Sequence, residues 1–189
     1  MNNALGNVGK TVFYSDSIEV NPVEQRASLR ELISDIDAGL VELLVILGGN
    51  PVYNTPADLK LDFETRLKNH PNMIRVHLSE YKNETSEVCH WHVPAAHYLE
   101  SWGDTRSYDG TVTIMQPLIE PLYGGKTAYE LLAVFSEQYD RKPYDIVKSY
   151  WQTQRSGAGT QSAQTPTTQA PTPAPSPTPS QDFENWWRQ

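Results

Sequence analysis

The chain is predicted to be an α/β protein with a mainly parallel sheet, and three observations lead there. Short, nearly unbroken apolar runs occur at Leu40–Leu47 and Met73–Leu78, a stretch with apolar residues at helical spacing precedes each, and Gly, Pro and Asn break the chain between them. Helix and strand in alternation is the rhythm of βαβ crossovers, in which helices flank a parallel sheet in three layers.

Each element follows from its own pattern. Leu29, Leu32, Ile33 and Ile36 fall at i, i+3, i+4 and i+7 between Gln25 and Gly39, which puts them on one helix face, and Gly39 supplies the stop. Leu40–Leu47 carries one Glu and ends at Gly48-Gly49-Asn50-Pro51, as a strand buried on both faces would. Leu59, Phe63 and Leu67 then mark a second helix, His70-Pro71-Asn72 a break, and Met73–Leu78 a second strand. Glu84–Cys89 is predicted as a short helix capped by Asn83, His90–Val93 as a short strand stopped by Pro94, and Thr111–Met115 as a fourth strand of the sheet. Two helices are expected to close the domain, Thr127–Tyr139 with Leu131, Leu132 and Phe135 inward, and Pro143–Trp151 with its proline in the first turn.

The composition, 38% hydrophobic and 20% charged, allows one globular core. That core is expected within residues 1–152. Residues 153–181 hold six of the chain's 14 prolines among Thr, Gln, Ser and Ala, offer almost nothing apolar to offset the entropy of ordering, and read as a Pro/Thr-rich disordered linker. Residues 182–189 read as the first turns of a truncated helix whose aromatic residues are left unburied. Arg155 and Arg188 balance Asp182 and Glu184 in that tail, so the net charge of -8 belongs to the globular part. An acidic surface without clustered Lys and Arg argues against nucleic acid as a partner. Nothing in the sequence resembles a membrane span or an export signal, and the lone Cys89 excludes an intramolecular disulfide or a four-cysteine metal site within these residues.

Several motifs carry competing readings. Ala4–Thr11 satisfies the loose phosphate-loop pattern, yet lacks a strand before it and a helix after it. Cys89, His90, His92, His97 and His77 are metal-ligand residue types, but His90 and His92 sit within a predicted buried strand while Cys89 points to its other face, so no metal site is assigned. Glu100, Asp104 and Asp109 read as a solvated loop of mixed charge rather than as an acid–base pair. The turn Gly48, Gly49, Asn50 and Pro51, together with the helix start at Glu84 and Thr85, forms the candidate cofactor cleft, because ligands of open parallel sheets lie beyond the carboxyl ends of the strands. The competing reading of the glycines is a tight strand-to-helix turn that requires positive φ. No catalytic residue is assigned.

Three strings, Leu47–Pro56, Glu84–Glu100 and Asp109–Pro117, occur in an order and spacing that resemble the molybdopterin oxidoreductase superfamily. The variant Cys89-His90-Trp91-His92-Val93-Pro94, the run Leu99–Asp104 and Gln116–Ile119 are most similar to the family of molybdopterin-oxidoreductase-like, iron–sulfur subunits of bacterial alternative complex III, a quinol-oxidising respiratory assembly. The resemblance covers roughly residues 1–151. It implies a Rossmann-like domain, a place on the periplasmic side of the inner membrane without direct membrane insertion, and as partners the other subunits of the respiratory complex and the rest of the parent chain. It also implies iron–sulfur clusters elsewhere in the parent protein.

Cofactor-binding relatives have an Ala-Asp-Val-Val-Leu-Pro strand and a Gly-Thr-Phe-Thr-Asn strand where this chain has Cys89–Pro94 and Gly110–Ile114. The expected function is therefore that of a cofactor-free structural module in electron transfer, with a vestigial cleft at Gly48–Pro51 and Glu84–Thr85. The alternative is the molybdopterin guanine dinucleotide-binding portion of a catalytic molybdenum oxidoreductase.

Overall fold

A computed structural model describes residues 1–15, 17–19, 21–55, 62–158 and 179–188. The chain is α/β. In order it forms α1 (Gln25–Asp37), β1 (Leu43–Leu47), α2 (Pro51–Asn54), α3 (Phe63–Asn69), β2 (Ile74–Ser79), α4 (Glu84–Glu87), β3 (Trp91–Pro94), β4 (Gly103–Arg106), β5 (Val112–Met115), α5 (Ala128–Ala133), α6 (Pro143–Ala158) and α7 (Pro179–Trp187). The expected Leu59 lies outside the described residues.

Strands β1, β2 and β3 form a parallel sheet in that spatial order, with Leu44 opposite Arg75 and His77 opposite His92. The core lies under it: Ile33 and Ile36 of α1, Leu44 of β1, Phe63 and Leu67 of α3, and Met73 form one buried cluster, with Leu29 and Leu32 packed against it. The predicted face of the first helix is thus the face that is buried. Its end is closed as expected at Gly39, where the amides of Gly39 and Leu40 bond back to the carbonyls of Ile36 and Asp35.

Four expectations are corrected. β1 is not buried on both faces: it is an edge strand among the described residues, with Leu43 and Leu47 42% and 46% exposed. The Thr111–Met115 strand does not join the parallel sheet; as β5 it pairs antiparallel with β4, and β4 includes Asp104 of the supposed loop. The helix expected over Thr127–Tyr139 ends at Ala133, leaving Leu132 and Phe135 exposed rather than inward. Last, α6 runs past residue 152 to Ala158 and α7 begins at Pro179, so both ends of the supposed linker are helical, while residues 159–178 lie outside the described residues.

The truncated helix expected at 182–189 does not leave its aromatic residues unburied either. Phe183 is 3% exposed, Trp186 lies near Trp151, and Trp187 stacks near Trp102. The physical reason is spacing. Positions 183, 186 and 187 share one helical face, and that face has α6 to rest on.

The segment leading into α5 is joined to the parallel sheet through the chain after β3. Ala96 donates to the carbonyl of Lys126, and Lys126 donates back to Pro94. Gly125 makes this possible, since a Cβ there would lie 2.8 Å from the Ala96 backbone.

Candidate functional site

Beyond the carboxyl ends of β1 and β2 lies a cavity of about 660 Å³. Gly48 and Gly49 form one wall, Leu78, Ser79 and Tyr81 a second, and Tyr98, Trp102, Met115 and Tyr129 the far side contributed by the β3–β4 connection, β5 and α5. Both glycines have positive φ, 71° and 69°, so the strand-to-helix turn reading is met in full. Gly48 still donates to Leu78 across the sheet, at 2.7 Å.

The remaining candidate residues, Asn50, Pro51, Glu84 and Thr85, stand beside the cavity rather than in its wall, and Asn50, Glu84 and Thr85 are bound to one another. Asn50 Nδ2 donates to Glu84 Oε2 at 2.6 Å, and Asn50 Oδ1 accepts from Thr85 Oγ1 at 2.8 Å and from the Thr85 amide at 3.3 Å. The Val52 amide donates in turn to Thr85 Oγ1. Thr85 is wholly buried by these contacts. The Asn50 amide holds the Glu84 carboxyl below the usual carboxylate range, so a settled negative charge stands at the mouth of the turn.

A second group, unforeseen as a unit, links the turn to β2, α4 and β3. The Gly49 carbonyl can only accept, so His77 Nε2 donates to it at 3.1 Å and His77 Nδ1 must accept from Ser86 Oγ at 2.9 Å. Having given up its one proton, the Ser86 hydroxyl accepts from His92 Nδ1 at 3.2 Å. The chain of donors thus runs from His92 to Gly49. Burial holds the His77 imidazole below its ordinary value, which fits the neutral tautomer this chain requires. Ser86 is 3% exposed, so its hydroxyl is closed to a substrate.

Arg75 completes the polar face of β2. Its guanidinium is buried and donates to the carbonyls of Val88, Leu67 and His70 at 2.7–2.9 Å, tying the end of α3 to the turn before β3. His90 Nδ1 accepts from the Arg75 amide, and burial pushes the Cys89 thiol up. His90 and His92 are therefore engaged separately, and among the described residues no group of three metal-ligating side chains converges. Arg75, His77 and Ser79 alternate along β2; this period of two in polar residues of an apolar strand is the signal by which the sequence marks them.

On the far side, Asp104 accepts from Tyr129 Oη at 2.7 Å and from Trp151 Nε1 at 3.1 Å. Glu100 receives the amides of His97 and Leu122, and Asp109 caps the hairpin turn, where Ser107 and Thr111 hold its carboxyl at about 2. The acids are dispersed over three structural tasks. Residues 4–11 form turns closed by an isolated bridge between Val8 and Val12, with no strand before and no helix directly after.

No protein-family model matches the chain, nor does any curated protein.

Proposed function

We propose that the chain is a cofactor-free, Rossmann-like module of a respiratory electron-transfer subunit of the alternative complex III type, acting through its partners on the periplasmic side of the membrane. The observation that carries this reading is the mutual hydrogen bonding of Asn50, Glu84 and Thr85. A bound pterin dinucleotide needs donors and cations at the glycine turn to neutralise its diphosphate. Here the turn's polar side chains are occupied with one another, and the Glu84 carboxylate would repel a phosphate. Lys126 is the cation among the described cavity-lining residues, and it is paired with Glu130 at 3.1 Å. The residues present do not fit that cofactor.

The module reading also accounts for the open edge of β1 and for exposed Trp91, Leu118, Leu122 and Tyr123, which subunits or the remainder of a parent chain would cover. No helix among the described residues is long and apolar enough to cross a membrane. The second reading, a pterin-binding portion of a molybdenum oxidoreductase, draws on one observation: the cavity lies where open parallel sheets hold ligands and has the size of a small-molecule site.

Metal and pterin analysis of the intact assembly, purified from membranes through a tag on the parent protein, separates the two. The expected result is co-purification with respiratory subunits, with iron present and neither molybdenum nor pterin. Stoichiometric molybdenum would overturn the cofactor-free reading, and recovery of the protein free of any respiratory subunit would overturn the assembly itself.

A further inference from the structure

Trp102 has two neighbourhoods. One side lines the cavity at the strand ends, while the ring lies 6.3 Å from that of Trp187, with planes 20° apart, and meets Tyr144 edge-on at 4.8 Å. We propose that α6 and Trp102 together form a docking surface for an amphipathic aromatic helix, that α7 is its tethered occupant, and that seating α7 fixes Trp102 as a wall of the cavity.

The fit of α7 to this surface is specific in shape and charge. Phe183 is buried and its ring lies 5.7–5.8 Å from those of Trp186 and Trp187. Trp187 meets Tyr144 of α6, and Trp186 meets Trp151. Around these rings α6 presents cations and α7 an anion: Lys148 Nζ lies 2.9 Å from Glu184 Oε1, and Arg155 lies over the Trp186 ring at 4.9 Å. A helix of nine residues is too short to persist alone in water, so its helical state depends on this surface.

Docking is also separable from the rest of the fold. The buried cluster of Ile33, Ile36, Leu44, Phe63, Leu67 and Met73 includes nothing from α6 or α7. Because α7 remains covalently joined to α6, its return is intramolecular, so a weak intrinsic affinity suffices. Release would withdraw Trp187 from Trp102 and leave the indole held by Tyr144 alone among these rings. The contact therefore couples a surface event to the cavity.

Hydrogen exchange of the full chain, read by mass spectrometry, tests this. In the wild type, amides of 183–187 are expected to be protected. Phe183→Ala with Trp187→Ala should speed exchange there and at 101–104 by at least about tenfold, the loss expected for one buried aromatic, with β1 and β2 unchanged. Unprotected α7 amides in the wild type, or unaltered exchange at 101–104 once α7 is released, would overturn the proposal. Should the aromatic variant lose protection in β1 and β2 as well, the surface charge pair decides. Glu184→Lys should raise α7 exchange about two- to fivefold and Lys148→Glu/Glu184→Lys should restore it; failure to restore counts against this docking geometry.

Discussion

The two halves of the molecule are held by different physics. From α1 to β3, a small apolar core is combined with buried polar groups, Arg75, His77, Thr85 and Ser86, each of which spends its hydrogen bonds on a neighbouring element. From β4 to α7, the ties are rings on rings, the Lys148–Glu184 ion pair between α6 and α7, and the Asp104 carboxylate, which joins β4 to α5 and α6 through Tyr129 and Trp151. A buried polar group that loses its partner costs the full desolvation penalty, so the first half has one arrangement or none. A stacked ring on a separable helix loses contact area piecemeal, so the second half can loosen locally.

The sharpest break of this comparison is Leu67→Ala. Leu67 is wholly buried against α1 and β1, and its truncation is expected to cost roughly 2–5 kcal/mol of global stability, seen as a lower urea midpoint for every probe. Trp187→Ala should instead leave that midpoint nearly unchanged and alter only α6, α7 and residues 101–104. If both variants shift the global midpoint equally, the halves form one cooperative unit and the comparison fails.

Thr85→Val keeps shape and removes the hydroxyl that donates to Asn50 and accepts from Val52. The expected loss is about 1–3 kcal/mol, with a freer Gly48–Pro51 turn. A neutral result in thermal denaturation would mean that the lock on the turn is not held by this residue.

His77 gives the first half a pH dependence that begins near neutrality, because burial lowers its imidazole from the ordinary value. Its imidazole is held below 6.5 in the folded chain by burial, so as pH falls through 6.5 the unfolded state binds the proton first. The contribution is fully present above that value, declines down to the lowered folded value, and is constant beneath it. Urea midpoints between pH 7 and 4 should fall for the wild type and fall less for His77→Asn; parallel curves would place the dependence elsewhere.

Legibility in the sequence follows the same division. The periodicity of Leu29, Leu32, Ile33 and Ile36, and the apolar runs ending at Leu47 and Leu78, locate α1, β1 and β2, because core burial writes directly into apolar spacing. The same run misleads about β1, for it carries no mark of whether a neighbour strand lies beyond it. β4 is illegible: Gly103-Asp104-Thr105-Arg106 pairs with β5 through its backbone and has no apolar alternation to show. The α7 contact is hidden for another reason, since the partners Trp102, Tyr144 and Trp151 are remote in sequence and the intervening prolines resemble an ending. At the site, the turn and helix start are visible as neighbours, whereas their satisfaction of each other depends on the 34-residue separation of Asn50 and Glu84 closing in space.

The smallest effect concerns Tyr129, and it tests whether the second half is assembled in solution as the polar tie through Asp104 implies. Burial, and then the Asp104 carboxylate it donates to, push the phenol up to about 12, because ionisation would place a phenolate beside a carboxylate away from water. Of the chain's 10 tyrosines, Tyr129 should therefore be absent from the ordinary titration near pH 10 and appear above it in a stopped-flow alkaline jump read by phenolate absorbance. Tyr129→Phe should delete only that late phase and cost about 1 kcal/mol, since Asp104 keeps Trp151 and partial access to water. An unchanged alkaline limb in the variant would mean that Tyr129 is not tied to Asp104, and that β4 is joined to α5 by packing alone.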